Sequence, residues 1–160
     1  MIMKRVIVIF FTGLTLQAFA SADSGMTQRD SIVCFASDYL GTPYLYAGTS
    51  PKGFDCTGFV YYVFNHFGIK ASRASSGYEN LSNHIEQECA QPGDIILFTG
   101  TDSSVRRVGH AGIVYQNDNG ILYFIHSSSS KNHFGVTITR LNDNKGYLKR
   151  YLRIIDILSN

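Results

Sequence analysis

Cys56 stands in the run Gly53-Phe54-Asp55-Cys56-Thr57-Gly58-Phe59-Val60, and the residues on either side of it decide its chemistry. Apolar residues recur after it at Phe59, Val60, Val63, Phe64 and Phe67, the spacing of one buried helix face. A turn-rich stretch from Gly41-Thr42-Pro43-Tyr44 to Pro51-Lys52-Gly53 comes before, so Cys56 opens a helix. The free N–H groups and the macrodipole at a helix start favour a thiolate, the nucleophilic form of cysteine. Asp55 is the expected N-cap, and its charge works against that thiolate. A nearby imidazole is therefore required as well. A lone cysteine is more often a small buried hydrophobe, so the nucleophilic reading stands or falls with the base.

The chain has five histidines. His66 lies ten residues along the helix from Cys56, too far from its mouth, and His84 and His133 sit in polar stretches that favour solvation. His110 and His126 belong to two runs, Gly109 to Gln116 and Ile121 to Ser127, that read as a hairpin. A three-residue connection Asp118-Asn119-Gly120, a type I turn with a G1 bulge, pairs Asn117 with Ile121. Continued along the ladder, this register pairs Gly112 with His126 and puts His110 on the same face. Such diagonal neighbours lie about 7 to 8 Å apart. A connection of two or four residues would instead put the histidines on opposite faces. Gly109 and Gly112 flank His110 and permit close approach of another backbone, the helix mouth with Cys56 included. On this reading His110 is the base and His126 the group that orients it.

The elements that would position these groups divide into helices first and strands second. Ile32, Phe35, Ala36, Tyr39 and Leu40 mark a first helix that ends at Gly41, and the helix from Cys56 runs to about Phe67 with Gly68 as its stop. Residues 42–55 read as loop, and Ser75 to Leu81 as a short helix. Gln91-Pro92-Gly93-Asp94 is a turn before a buried strand, Ile95 to Phe98; Gly100 to Arg107 is a polar loop. Further strands are expected at Val136 to Leu141 and Tyr147 to Ile157. This order predicts an α+β domain with a mainly antiparallel sheet.

Residues 1–20 have the form of a secretory signal peptide: Met1 to Arg5 basic, Val6 to Leu16 mostly apolar, then Ala18-Phe19-Ala20. The apolar run stops short of the roughly 20 residues a spanning helix needs, so no stable membrane anchor is expected. Ser21 after the cleavage point gives no lipid attachment site. Of 160 residues, 14 are Lys or Arg and 12 are Asp or Glu. Removal of Lys4 and Arg5 leaves the mature domain, residues 21–160, formally neutral. Charge therefore gives no argument for nucleic acid as a partner. Three cysteines leave one unpaired, and a Cys34–Cys89 bridge with Cys56 free is one arrangement an oxidising compartment allows. No Cys-x-x-Cys or His-x-x-x-His spacing suggests a metal site.

The segments Gly41-Thr42-Pro43-Tyr44, Gly53 to Val60, Pro92-Gly93-Asp94-Ile95-Ile96-Leu97-Phe98, Gly109-His110-Ala111-Gly112-Ile113 and Phe124-Ile125-His126 resemble, in that order, the motifs of the NlpC and p-sixty family. The resemblance covers the chain from about residue 27 onward. It implies a papain-like fold and a bacterial cell-wall cysteine peptidase. Members commonly hydrolyse the bond between D-glutamate and a diamino acid in peptidoglycan stem peptides. Carried over, it makes Cys56 the nucleophile, His110 the base and His126 the third polar member. It makes Tyr44 an oxyanion donor beside the Cys56 N–H, Asp55 a contributor to binding of a substrate amine, and Arg73 a groove residue. Thr57 stands where serine is commoner, and Tyr46 and Ala47 where many members have Trp and Gly, changes that bear on substrate fit. Many relatives carry a wall-binding module besides, and residues 21–160 are accounted for by the peptidase domain alone.

The expected reaction is therefore thiolate attack on an amide, with no metal or organic cofactor, outside the cytoplasm: in the periplasm, the envelope or the exterior. Two rivals are an amidase of the CHAP type, against which the Asp-Cys-Thr-Gly run and the second histidine speak, and a non-catalytic member that binds stem peptides. An effector directed at a competitor's wall is a third.

Overall fold

The computed structural model describes residues 25–131 and 134–159. The signal peptide reading and His133 lie outside the described residues.

Helix α1, Gln28–Ser37, starts at a capping box in which Thr27 accepts from the Asp30 N–H and Asp30 accepts from Thr27. Its Ile32 and Ala36, one turn apart, are buried. A turn through Gly41, at φ +83°, ends it. The following loop carries a minimal hairpin of β1, Thr49–Ser50, and β2, Gly53–Phe54. Helix α2, Cys56–His66, buries Phe59, Val60, Val63 and Phe64 and stops ahead of Gly68 at φ +70°. The expected helix at Ser75 to Leu81 is a 3-10 turn, Ser75–Tyr78.

The later strands are β3, His84–Ile85; β4, Ile95–Thr99; β5, Val108–Asp118; β6, Ile121–Ser128; β7, Gly135–Arg140; and β8, Tyr151–Ile155. Among the described residues they form one six-stranded sheet in the order β3-β8-β4-β5-β6-β7, antiparallel at every pairing. The sheet has a core on each face. Ile95, Leu97, Ala111, Ile113 and Ile125 pack with the inner residues of α1 and α2, whereas Ile96, Phe98, Val114, Leu122 and Phe124 pack on the other side. This explains why Ile95 to Phe98 is continuously apolar: β4 is covered on both sides.

The expected strand from Tyr147 to Ile157 is corrected in its first half. Residues Lys145–Arg150 form helix α3, capped by the Asn144 side chain, which accepts from the Tyr147 N–H at 3.1 Å. The chain turns into β8 only at Tyr151. Cys34, on α1, and Cys89, in the 3-10 turn Gln87–Cys89, are both free and exposed, so the bridge considered between them does not form.

Candidate active site

Cys56 is the first residue of α2, and Asp55 caps it by accepting the Gly58 N–H at 2.7 Å. Gly58 is required here for space: a Cβ would lie 2.0 Å from the Gly48 carbonyl oxygen, which also accepts the Asp55 N–H at 3.1 Å. Loop 43–48 is thereby held against the helix start. Burial pushes the Cys56 thiol above its ordinary pKa, and the Asp55 carboxylate adds to this. Donation to sulfur from the N–H groups of Ala111, Thr57 and Cys56 itself pulls the other way without cancelling the rise. The helix start favours the anion, as expected from sequence, but the resting sulfur is a thiol.

Ala111 follows His110 on β5, so the bond from its N–H to Cys56 joins the sheet to the helix mouth one residue from the imidazole. His110 Nε2 lies 3.0 Å from His126 Nδ1, with the two rings edge to face. His126 is almost wholly buried, at 1% exposure, and its Nε2 lies 2.9 Å from Thr139 Oγ1 on β7. The Tyr147 hydroxyl, on α3, stands 3.4 Å from His126 Nδ1. Burial, and then the positive charge of Arg150, push the His110 pKa down to about 3. At neutral pH it is an uncharged imidazole.

The hairpin reaches this arrangement by a route different from the expected one. Asp118 pairs with Ile121, so the connection is a two-residue turn of Asn119, φ 49°, and Gly120, φ 87°, the signature of type I′. That register alone would separate the histidines. The ladder shifts between Val114 and Gln116, with Tyr115 as the extra residue, and from Val114↔Phe124 onward it has the expected alignment. The role expected of the flanking glycines holds for Gly109, which the backbone of Gly100 approaches, and is corrected for Gly112. A Cβ on Gly109 would strike the Gly100 N at 2.5 Å, and one on Gly112 would meet Phe124 Cδ2 at 2.9 Å and His126 Cβ at 3.1 Å. Gly112 thus makes room for His126, not for the helix.

On the other side of Cys56, three expected site residues cluster. Arg73 bonds Asp55 Oδ2 through Nη2 at 2.6 Å and Thr57 Oγ1 through Nη1 at 3.0 Å. The Thr57 hydroxyl donates to Asp55 Oδ1 at 3.4 Å. Tyr44 is half-buried and its backbone bridges Phe54, just ahead of Asp55. Burial raises its hydroxyl pKa, and the charges of Cys56 and Asp55 add to that, which places the phenol within electrostatic reach of both. His66 stacks on Phe35 at 3.8 Å, and His84 is exposed and bonds the Leu81 carbonyl, so neither joins the site.

Sequence reasoning missed Thr139, Tyr147, Arg150 and Ser127, whose hydroxyl donates to the Phe54 carbonyl at 2.7 Å and ties β6 to the segment before Cys56. Thr139 had no local signal: its place near His126 follows from the β6–β7 register, in which Thr137 is the cross-strand partner of His126. Tyr147 and Arg150 had none once their segment was read as a strand. Among the described residues no group of His, Cys, Asp and Glu could hold a metal ion.

Known proteins share this arrangement of chain. The chain is 32% identical over 122 residues, 76% of its length and 34% of the relative's, to a "Gamma-D-glutamyl-L-lysine dipeptidyl-peptidase" of Bacillus cereus (strain ATCC 10987 / NRS 248). It is 35% identical over 121 residues, 76% of its length and 32% of the relative's, to "Probable peptidoglycan endopeptidase LytE" of Bacillus subtilis (strain 168). It therefore spans about a third of these curated relatives. The crystal structure of an NlpC/P60 family protein from Bacillus cereus ATCC 10987 superposes with a TM-score of 0.71 at 29% identity, over 84% of this chain and 41% of that one. The fold is thus the papain-like α+β fold of that protein. The model of the NlpC/P60 family matches residues 41–156, from the loop bearing Tyr44 through β8, and the chain belongs to that family.

Proposed function

We propose that this protein is a cysteine endopeptidase of the bacterial cell envelope that hydrolyses peptidoglycan stem peptides at the amide between the D-glutamate side-chain carboxyl and the following diamino acid. The observation that carries the reading is the continuous chain Thr139–His126–His110, which ends one residue from the backbone N–H that binds Cys56 sulfur. Membership of the family supports the reaction class. The name of the Bacillus cereus relative supports the bond.

The hydrogen bonds support one path for the protons. For His110 to accept at Nδ1, its Nε2 must carry a hydrogen and donate to His126 Nδ1. His126 then carries its own hydrogen on Nε2 and donates to Thr139 Oγ1. His110 takes the Cys56 proton as sulfur attacks the carbonyl carbon. The tetrahedral oxyanion receives the Cys56 N–H and the Tyr44 hydroxyl. His110 returns the proton to the departing amine, and water, deprotonated by the same imidazole, releases the acyl group from sulfur. A thiol with a raised pKa beside an imidazole with a lowered one is a neutral pair at rest, so proton transfer accompanies attack instead of preceding it. In this reading Asp55 and Arg73 line the acyl side: Asp55 for a substrate amine, Arg73 for a carboxylate, with the Thr57 hydroxyl bonded to both. Export by residues 1–20 would bring the enzyme to its substrate.

The test is amine release from L-Ala-γ-D-Glu-L-Lys by the mature protein. The reading expects release that iodoacetamide stops and a chelator leaves intact. Loss with the chelator alone would overturn the thiol mechanism; with the muramyl form of the same peptide as substrate, cleavage on the sugar side of the first alanine would make the enzyme an amidase.

A further inference from the structure

A cavity of about 390 Å³ lies beside the paired histidines, with His126 among its lining residues and none of Asp55, Thr57 or Arg73. Its walls include Ser103, Ser128, Thr139, Tyr147, Lys149 and Arg150, and among the described residues that line it there is no carboxylate. We infer that this cavity is the subsite for a free carboxylate on the leaving-group side of the scissile amide, with Arg150 as its principal ligand. The inference rests on the proposed reaction.

Position follows from the chemistry. The departing amine must take its proton from His110, so the portion of substrate beyond the cut lies on the imidazole side. The cavity is there. His126, which bonds His110, is one of its lining residues, and Tyr147, another, is within electrostatic reach of Cys56.

Ligand class follows from the walls. The Arg150 guanidinium lies over the Tyr147 ring at 4.6 Å and donates Nη1 to the Gly100 carbonyl at 3.3 Å. These contacts hold its fork in one plane and leave N–H groups for a carboxylate. Hydroxyls of Ser103, Ser128 and Thr139 supply neutral donors. Lys149 adds a weaker attraction, because exposed Asp102 shares its charge. A volume of this size has room for an amino-acid residue with its carboxylate. Occupation would also act on catalysis. Arg150 is one of the two causes that depress the His110 pKa, and a bound anion offsets that charge and makes His110 a stronger base when substrate is present.

The carboxylate has two possible sources, the main-chain carboxyl of the diamino acid or a side-chain carboxyl such as that of meso-diaminopimelate. Four tripeptides separate them: L-Ala-γ-D-Glu followed by lysine or diaminopimelate, each with its main-chain carboxyl free or amidated. For the wild type, the carboxylate that fills the cavity lowers KM about tenfold relative to the amidated lysine peptide, the scale of one charge-assisted bidentate pair. In Arg150→Gln this preference disappears, and Arg150→Lys restores part of it, while thermal melts confirm that both fold. A wild-type preference below about twofold for either carboxylate, or a preference kept in Arg150→Gln, overturns the inference. Calorimetric binding of the same peptides to Cys56→Ala reads the subsite without turnover. If no peptide is cut yet the Kd preference is present, the reaction fails and the subsite stands; if Kd is indifferent to every carboxylate, the subsite fails.

Discussion

At the scale of single residues, a thiol that is neutral at rest makes a distinct kinetic signature. Alkylation of Cys56 by iodoacetamide in the free protein should keep accelerating as pH rises through 9, because burial and Asp55 hold the thiol above its ordinary pKa. A rate already level at pH 6 would mean a preformed thiolate and would contradict the neutral pair. The tautomer chain gives a second test. Thr139→Val removes the acceptor that sets His126, so kcat should fall about tenfold with KM little changed, whereas His126→Ala should cost roughly 10² to 10⁴ in kcat. An unchanged kcat in Thr139→Val would remove Thr139 from the chain. The principal residues proposed for this site each carry a local signal in the sequence: a cysteine after a turn and before an apolar helical period, and two histidines in alternating strands. Thr139 and Arg150 carry no such mark, since what they do depends on partners 13 and 50 residues away, His126 and Gly100.

At the scale of elements, Gly58 and the β5–β6 hairpin set the distances. Gly58→Ala would drive a methyl into the Gly48 carbonyl, and the loop that carries Tyr44 would have to shift. The expected cost is about 2 kcal/mol in a urea titration, with loss of activity beyond what stability explains. A neutral substitution would show that loop 43–48 gives way freely. The hairpin shows why register is hard to read from a chain. The sequence permits either a three-residue loop or a two-residue Asn-Gly turn with a bulge beyond it, and both bring His110 beside His126. The turn residues Asn119 and Gly120 were visible, but the bulge at Tyr115 leaves no local signal, because it is settled by how the sheet twists and packs. Helix α3 was missed for a related reason. Six residues containing Gly146 are too short to display a helical period, and its stability comes from the Asn144 cap and from Tyr147 against Phe98 and Phe124.

At the scale of the whole molecule, α1 is fastened to the end of the sheet by Arg29, which pairs with Asp94 at 2.6 Å and Asp156 at 2.8 Å. Asp94 is 1% exposed, so Arg29→Ala would strand a buried carboxylate, with an expected loss of about 3 kcal/mol. Stability should also depend on His110. Its pKa is about 3 when folded and about 6.5 when unfolded, so between those values the unfolded chain binds a proton that the native one does not. Stability is therefore full above about pH 6.5 and falls as pH drops, by up to about 1.4 kcal/mol per unit for this one group. Urea midpoints at pH 7 and pH 5 should differ in the wild type and differ less in His110→Gln; an equal difference in both would place the linkage elsewhere. Fold class, helix order and the antiparallel sheet were legible because alternation and helical periods report burial directly.

The most direct test of the central claim is mass spectrometry of purified peptidoglycan fragments after incubation with the mature protein and with Cys56→Ala. The account predicts new fragments ending in D-glutamate with the intact protein alone. Fragments left unchanged by both proteins, or the same new fragments from Cys56→Ala, would contradict it.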